Sequence, residues 1–98
     1  MRMAEPGTAY VIEPRADGYL AWTLSSEGVA HLALPAGGAD CGWPADKALA
    51  WALLFHVTRN WHVADDWCSE FTTDVVAPRS GSTFTVLEQE VLAWLDAS

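Results

Sequence analysis

The stretch that decides the fold is Ala48-Leu49-Ala50-Trp51-Ala52-Leu53-Leu54-Phe55-His56-Val57, which lies between Pro44 and the polar group Thr58-Arg59-Asn60. Nine of its ten residues are apolar, so it is too apolar for a helix that keeps one face in water. It is also too short to cross a bilayer, which takes about 20 apolar residues. We therefore expect a central apolar helix over residues 46–58, buried in the middle of a small fold.

The first third of the chain predicts strands. Residues 9–13, 19–24 and 29–34 are short apolar runs separated by turn signals, of which the second contains Gly28. In the middle run Leu20, Trp22 and Leu24 would share one face of a strand. These runs predict a small antiparallel sheet, whereas residues 83–86 read only as a short extended piece.

Helical spacing dominates the rest of the chain. Residues 60–76 predict a second helix with Asn60 as its N-cap, and residues 88–97 predict a third. Strands followed by helices indicate an α+β fold in which three helices pack on the sheet. We expect one domain over residues 1–98, with residues 1–8 frayed.

The charge of the chain is strongly negative, with 13 acidic and 5 basic residues and a formal net charge of −8. Such a surface repels nucleic acid and anionic membranes, because binding to phosphates depends on Lys and Arg. It suits the basic surface of a partner protein, although net charge also serves solubility alone. We expect a protein partner and no direct contact with nucleic acid or membrane.

Cys41 and Cys68 are the two cysteines, and their spacing does not show whether they form a disulfide. The N-terminus has no signal-peptide pattern, so we expect a cytoplasmic protein with reduced thiols. No phosphate-binding glycine motif is present, which gives no reason to expect a cofactor.

The junction between the first two predicted helices concentrates residues that could carry chemistry. His56, His62 and Cys68 lie six positions apart in turn, about 240° around a helix, so one straight helix cannot bring them together on a metal. No nucleophile motif surrounds either cysteine. We therefore expect no metal site, no catalytic residue and no enzyme, with a small-ligand or metal-binding module at this junction as the alternative.

Acidic residues are frequent in the second predicted helix. They would form a negative row if they projected from one side of a rigid helix, with exposed tryptophan beside them as an apolar anchor. The expected partner-binding residues are Asp65, Asp66, Glu70, Asp74, Trp61 and Trp43. Trp22 is a further candidate for partial exposure, and each tryptophan has core packing as its alternative.

Several patterns between residues 18 and 95 point to one family. They are Gly42-Trp43-Pro44-Ala45, the alternation Leu49-Ala50-Trp51-Ala52-Leu53-Leu54, the set Trp67, Phe71 and Val75-Val76-Ala77, and the closing Val91-Leu92-Ala93-Trp94-Leu95. In these the chain resembles small phage and prokaryotic proteins catalogued as domain of unknown function 6166. The resemblance implies the fold and a phage or mobile-element origin, and it implies no activity. The chain departs from the family where a glycine- and serine-rich tract is expected, since it has only residues 42–46 there.

The sequence thus predicts a non-enzymatic acidic protein-binding module. Its sharpest form is an anti-CRISPR-like inhibitor of a host nucleic-acid-binding defence complex. A structural subunit that forms a homo-oligomer through exposed tryptophan is the other alternative.

Overall fold

The computed structural model describes residues 7–16, 18–32, 44–79 and 81–97, and in them a layer of helices packs on a sheet. The strands are β1 (Ala9–Arg15), β2 (Gly18–Ser25), β3 (Gly28–His31) and β4 (Phe84–Leu87). The helices are α1 (Ala45–Thr58), α2 (Trp61–Phe71) and α3 (Glu88–Ala97), and a π-helical turn (Thr72–Val76) and a 3-10 turn (Ala77–Arg79) follow α2. The expected α+β class with three helices is confirmed.

The sheet has the strand order β3-β2-β1-β4, with antiparallel neighbours throughout. Its fourth strand comes from the C-terminal third of the chain, because β4 pairs with β1 from Ala9 opposite Leu87 to Ile12 opposite Phe84. The sequence predicted a sheet of N-terminal strands only. A four-residue strand gives a weak local signal, and its pairing with residues more than 70 positions away is not visible in any local pattern.

β1 runs through Pro14 to Arg15, although the sequence predicted that it would stop before the proline. Proline lacks the N–H that a strand with two neighbours would use. At this point β1 has one neighbour among the described residues, since β4 pairs only with Ala9 to Ile12. The proline is therefore tolerated on the open side of β1 while its other side pairs with β2.

α1 is the centre of the core, as the apolar run predicts. The sheet presents Tyr10, Ile12 and Val86 towards it without any exposed surface. Its own fully or almost fully buried residues are Ala48, Leu49, Ala50, Ala52, Leu53 and Leu54. α2 and α3 add Ala64, Cys68, Phe71 and Val91 to the same core. One core between the sheet and the helices thus accounts for most of the apolar residues of α1.

α2 is shorter than predicted, because the regular helix ends at Phe71 and not at residue 76. The next five residues form a π-helical turn, in which β-branched side chains predominate and lower the preference for α-helix. Thr72 and Thr73 donate their hydroxyl hydrogens to the carbonyls of Cys68 and Ser69, at 2.7 and 3.2 Å. Pro78 lies in the 3-10 turn that follows and cannot donate a backbone hydrogen bond, which disfavours a return to α-helix.

Thr8 joins the N-terminal end of β1 to the start of α3. Its N–H donates to Oε1 of Glu88 at 2.9 Å, and its carbonyl accepts from the N–H of Glu88 at 2.8 Å. Thr8 is thus held by two hydrogen bonds, although it lies within the segment 1–8 that the sequence predicted to be frayed. Residues 1–6 of that segment lie outside the described residues. None of the helices in the described ranges is long and apolar enough to cross a membrane.

Candidate interaction surfaces

The face of the sheet that points away from the helices is apolar. Strand register places two rows of four side chains across it, one residue from each strand. One row consists of Val29, Leu24, Ala9 and Leu87, and the other of His31, Trp22, Val11 and Thr85. We call these eight residues the outer sheet face. Six of the eight are apolar, whereas an open face of an antiparallel sheet is ordinarily polar.

Several residues of the outer sheet face are open to solvent. Val29 is 68% exposed, Leu87 is 42% exposed and Leu24 is 37% exposed. Their neighbours Trp22, Val11 and Ala9 are partly buried. Contiguous exposed apolar residues on a protein surface mark a site of interaction with another molecule.

No residue of the outer sheet face carries a negative charge, although the chain as a whole is acidic. Its single titratable group is His31, whose ring packs edge-on against Trp22 with 6.3 Å between the ring centroids. Glu13 and Glu27 lie at its border, on β1 and in the β2–β3 turn. The face therefore consists of an uncharged apolar centre with acidic residues beside it.

Two of the four acidic residues predicted to form one row contact neighbouring helices. Oδ1 of Asp65 accepts a hydrogen bond from the indole Nε1 of Trp51 on α1, at 2.8 Å. Oδ2 of Asp74 accepts one from the indole Nε1 of Trp94 on α3, at 3.0 Å. Asp74 moreover belongs to the π-helical turn and not to α2. These two carboxylates tie neighbouring helices together, although both are exposed. Asp74 lies beyond the end of α2, and the negative row as a partner-binding surface stays a prediction.

Asp66 and Glu70 are the remaining two predicted acids, and both are exposed on α2. They lie four positions apart, which places them on the same side of the helix. Asp65 is exposed as well, so α2 has three exposed carboxylates, of which Asp66 and Glu70 have no hydrogen bond to a neighbouring helix among the described residues.

Trp61 lies in the first turn of α2 and is 54% exposed, in agreement with its predicted exposure. Its ring stacks on that of His62 with 3.8 Å between the ring centroids. Asn60 caps the helix as predicted, since its side-chain oxygen accepts from the N–H of His62 at 3.0 Å. Trp43 lies outside the described residues, as does Cys41.

The residues weighed as metal ligands do not come together. No group of three or more His, Cys, Asp or Glu side chains with metal-binding geometry occurs in the described parts of the chain. His62 is exposed on α2, whereas His56 lies against the sheet and Cys68 is buried in the core. Burial raises the pKa of the free Cys68 thiol, which disfavours the reactive thiolate.

His56 makes a close polar contact between α1 and the inner side of β1. Its Nδ1 lies 2.7 Å from the hydroxyl oxygen of Tyr10. Burial raises the pKa of Tyr10 to about 12, and the carboxylate of Glu88 acts in the same direction. The pKa of His56 is lowered by burial and by the charge of Arg59. At neutral pH a protonated phenol and a neutral imidazole therefore share this hydrogen bond, and the tautomer of His56 decides which of the two donates.

Comparison with models of protein families, with curated proteins and with solved structures finds no match to this chain. The resemblance to domain of unknown function 6166 therefore stays a prediction. What the chain does has to be inferred from its own surfaces.

Sequence reasoning missed the outer sheet face, although a signal for it was present. Leu20, Trp22 and Leu24 were predicted to share a face, and they do. Ala21 and Thr23, however, are the residues of β2 that point into the core. In β1 the adjacent residues Tyr10 and Val11 are both apolar, so each face of the strand is apolar. Apolar residues at consecutive strand positions indicate a sheet that is covered on both faces.

Proposed function

We propose that this chain is a non-enzymatic protein-binding module that docks through its outer sheet face on an apolar surface bordered by basic residues. The observation that carries the proposal is the pair of side-chain rows across four strands. An antiparallel sheet with helices on one face commonly turns a polar face to water, and this one does not. Burial of exposed apolar side chains contributes about 25 cal/mol per Å² of surface removed from water.

The charge of the chain indicates the chemistry of the partner. With a net charge of −8, two copies of the chain repel each other, which favours a different molecule over a second copy. Nucleic acid and anionic membrane are disfavoured for the same reason. A partner with Lys and Arg around an apolar centre would match both the outer sheet face and the acidic residues beside it.

The sharpest form of this proposal is an anti-CRISPR-like inhibitor, of phage or mobile-element origin, that binds a host nucleic-acid-binding defence complex in the cytoplasm. Complexes that hold nucleic acid carry the basic surfaces that such a partner requires. The small size, the acidic charge and the resemblance to domain of unknown function 6166 support this form. The free thiol of Cys68 supports a reducing compartment.

A library of displayed random peptides tests the proposal while the natural partner is unidentified. Selection on the wild-type chain should return peptides that combine apolar residues with Lys or Arg. The Leu87→Glu variant places a charge in the outer sheet face and should bind the selected peptides about tenfold more weakly or worse, measured by fluorescence anisotropy.

Leu92 provides the matched control. It is 48% exposed on α3, in the helical layer, compared with 42% for Leu87. The Leu92→Glu variant should bind the selected peptides as the wild type does. Equal affinity of the wild type and Leu87→Glu, or selected peptides without enrichment in Lys and Arg, would contradict the proposal.

The acidic residues of α2 are tested by charge reversal at Asp66 and Glu70, two exposed carboxylates that accept no hydrogen bond from an indole among the described residues. Asp66→Lys with Glu70→Lys should reduce the affinity for basic peptides and flatten its dependence on salt, because screening acts on exposed charges. Asp65 and Asp74 are unsuitable for this test, since each accepts a hydrogen bond from an indole and its reversal would disturb helix packing. Unaltered affinity in the double variant would remove the α2 acids from the binding surface.

A further inference from the structure

A groove lies between the inner side of the β2–β3 hairpin and the C-terminal end of α1. It consists of two neighbouring cavities of about 310 and 270 Å³. Both are bordered by Thr23, Ala30, His56 and Arg59. Because the two cavities share these four residues, one ligand could occupy both and contact His56 and Arg59 between them.

Arg59 brings a guanidinium to the groove without an ion-pair partner. Among the described residues Arg15 pairs with Glu13 and Arg79 with Glu90, whereas Arg59 makes no ion pair. Arg59 also ends α1 in the left-handed conformation, with φ of 56°, a position at which glycine is preferred. An arginine that makes no ion pair with any described residue is available to an external anion.

His56 adds a second donor to the same groove. In the tautomer in which Tyr10 donates to Nδ1, the ring hydrogen of the neutral imidazole lies on Nε2. Tyr10 has no exposed surface, so it holds the imidazole from inside the core. The Nε2–H of His56 and the guanidinium of Arg59 are therefore both donors, and a ligand that satisfies both must supply acceptor atoms.

The two cavities differ in character. The smaller one is bordered by Leu32, Trp51, Ala52 and Phe55, whose side chains are apolar. Trp51 and Phe55 stack on each other with 5.1 Å between the ring centroids, and the hydrogen bond to Asp65 holds the indole of Trp51. The larger cavity is bordered by Thr8 and Ser25, whose side chains carry hydroxyl groups. The groove thus offers an apolar compartment on one side of the two donors and a polar one on the other.

Carboxylates near the groove limit the charge that it can accept. Glu27 borders the larger cavity, and the charge of Glu88 acts on both His56 and Tyr10. The carbonyl end of α1 also disfavours negative charge. A ligand with one negative charge is therefore favoured over a phosphate with two.

We propose that this groove binds a carboxylate attached to an apolar or aromatic group, with the carboxylate on Arg59 and His56 and the apolar group against Trp51 and Phe55. A free small-molecule acid and the C-terminus of a peptide with an apolar last residue share this chemistry. Thr23 and Ala30 place the groove mainly on the opposite side of the sheet from the outer sheet face. The two surfaces meet at Val29 and His31, which also border the larger and the smaller cavity, respectively.

Titration of the isotope-labelled chain with 3-phenylpropionate, followed by NMR, tests the proposal. We expect saturable shifts of the backbone signals of Phe55, His56 and Arg59. The neutral analogue 3-phenylpropionamide should bind about tenfold more weakly, and phenyl phosphate should bind no more tightly than the carboxylate. Equal binding of the acid and the amide, tighter binding of the phosphate, or the lack of saturable binding would overturn the proposal.

Arg59→Gly separates ligand binding from stability. Glycine relieves the left-handed backbone, so this variant should unfold at no lower denaturant concentration than the wild type and should lose about tenfold in affinity. Arg15→Gln removes the same charge at the distant end of β1 and should bind as the wild type does. If Arg59→Gly binds 3-phenylpropionate with unchanged affinity, Arg59 serves only the end of α1 and the proposal is wrong.

The two sources of the ligand are distinguished by the peptide Gly-Gly-Phe with a free C-terminus. Tighter binding of this peptide than of 3-phenylpropionate would identify a peptide end, because the additional main chain then contributes contacts. Weaker binding would identify a free acid. In both cases the C-terminally amidated peptide should bind more weakly than the free one, and an equal affinity of the two would overturn the proposal.

Discussion

The hydrogen bond between Tyr10 and His56 shows at the scale of single residues how packing changes chemistry. His56 is the one polar residue in the apolar run of α1, and sequence reasoning weighed it as a metal ligand. In the folded chain its Nδ1 is hydrogen-bonded to a tyrosine that has no exposed surface. Burial and the positive charge of Arg59 lower the pKa of His56 below its ordinary value of 6.5.

The lowered pKa of His56 predicts a loss of stability in acid. Below about pH 6.5 the unfolded chain binds a proton at this residue that the folded chain binds only at lower pH. The free energy of unfolding should therefore fall as the pH is lowered from about 7.5 to about 5.5. Urea unfolding at the two pH values measures the effect.

His62 supplies the control for this prediction, because it is exposed on α2. His56→Gln should remove part of the difference in stability between the two pH values, whereas His62→Gln should leave that difference as in the wild type. A wild-type stability that does not change over this range, or an equal loss of pH dependence in both variants, would contradict the assignment to His56.

Asp65 and Asp74 show why acidic residues are hard to interpret from the sequence. Both resemble surface acids by their spacing, and both are exposed, as are Asp66 and Glu70. Asp65 and Asp74 in addition accept hydrogen bonds from the indoles of Trp51 and Trp94. The difference depends on which helix lies beside each carboxylate, and that is a property of the tertiary structure.

At the scale of elements, α1 derives its stability from burial on several sides. The helix is apolar over most of its surface, so its contacts with the sheet and with α2 outweigh any surface interaction. Leu53 has no exposed surface, and its truncation to alanine leaves a cavity in the core. Leu53→Ala should lower the free energy of unfolding by about 2–5 kcal/mol, measured by chemical denaturation.

Leu92→Ala is the matched substitution outside the core, since this leucine of α3 is 48% exposed. This substitution should change the free energy of unfolding by no more than about 0.5 kcal/mol, as is usual for surface positions. If Leu53→Ala and Leu92→Ala lowered the free energy of unfolding by similar amounts, α1 would not be the centre of the core.

The π-helical turn is the element that the sequence pattern describes least well. Apolar spacing continues from Ala64 to Val75, so it predicts one helix through this region. The turn still buries Val75 and Val76, and it carries Asp74 to the indole of Trp94. Periodicity reports which residues face the core and does not distinguish one type of helical winding from another.

At the scale of the whole molecule, charge repulsion opposes association of the apolar sheet faces of two copies. At low ionic strength a net charge of −8 on each copy should keep the chain monomeric in analytical ultracentrifugation. At about 1 M salt the Debye length falls to about 3 Å, and the chain should then self-associate through the outer sheet face.

The same pair of substitutions used for partner binding tests this behaviour. Leu87→Glu should remain monomeric at high salt, whereas Leu92→Glu should associate as the wild type does. A stable dimer of the wild type at low salt would favour the homo-oligomeric subunit over a module for a basic partner.

The sequence by itself determined the α+β class, the position of α1 and the identity of most core residues. These follow from local composition and period, since an apolar run of ten residues has to be buried wherever the rest of the chain lies. Asn60 as the cap of α2 and the exposure of Trp61 could also be predicted from neighbouring residues alone. Only the tertiary structure decided that β4 joins β1, and that the side of β2 with Leu20, Trp22 and Leu24 faces outward. It also decided that Arg59 and His56 border one groove. The physical reason is the same in each case: strand pairing and cavities depend on contacts between residues far apart in the chain, and local periodicity carries no information about such contacts.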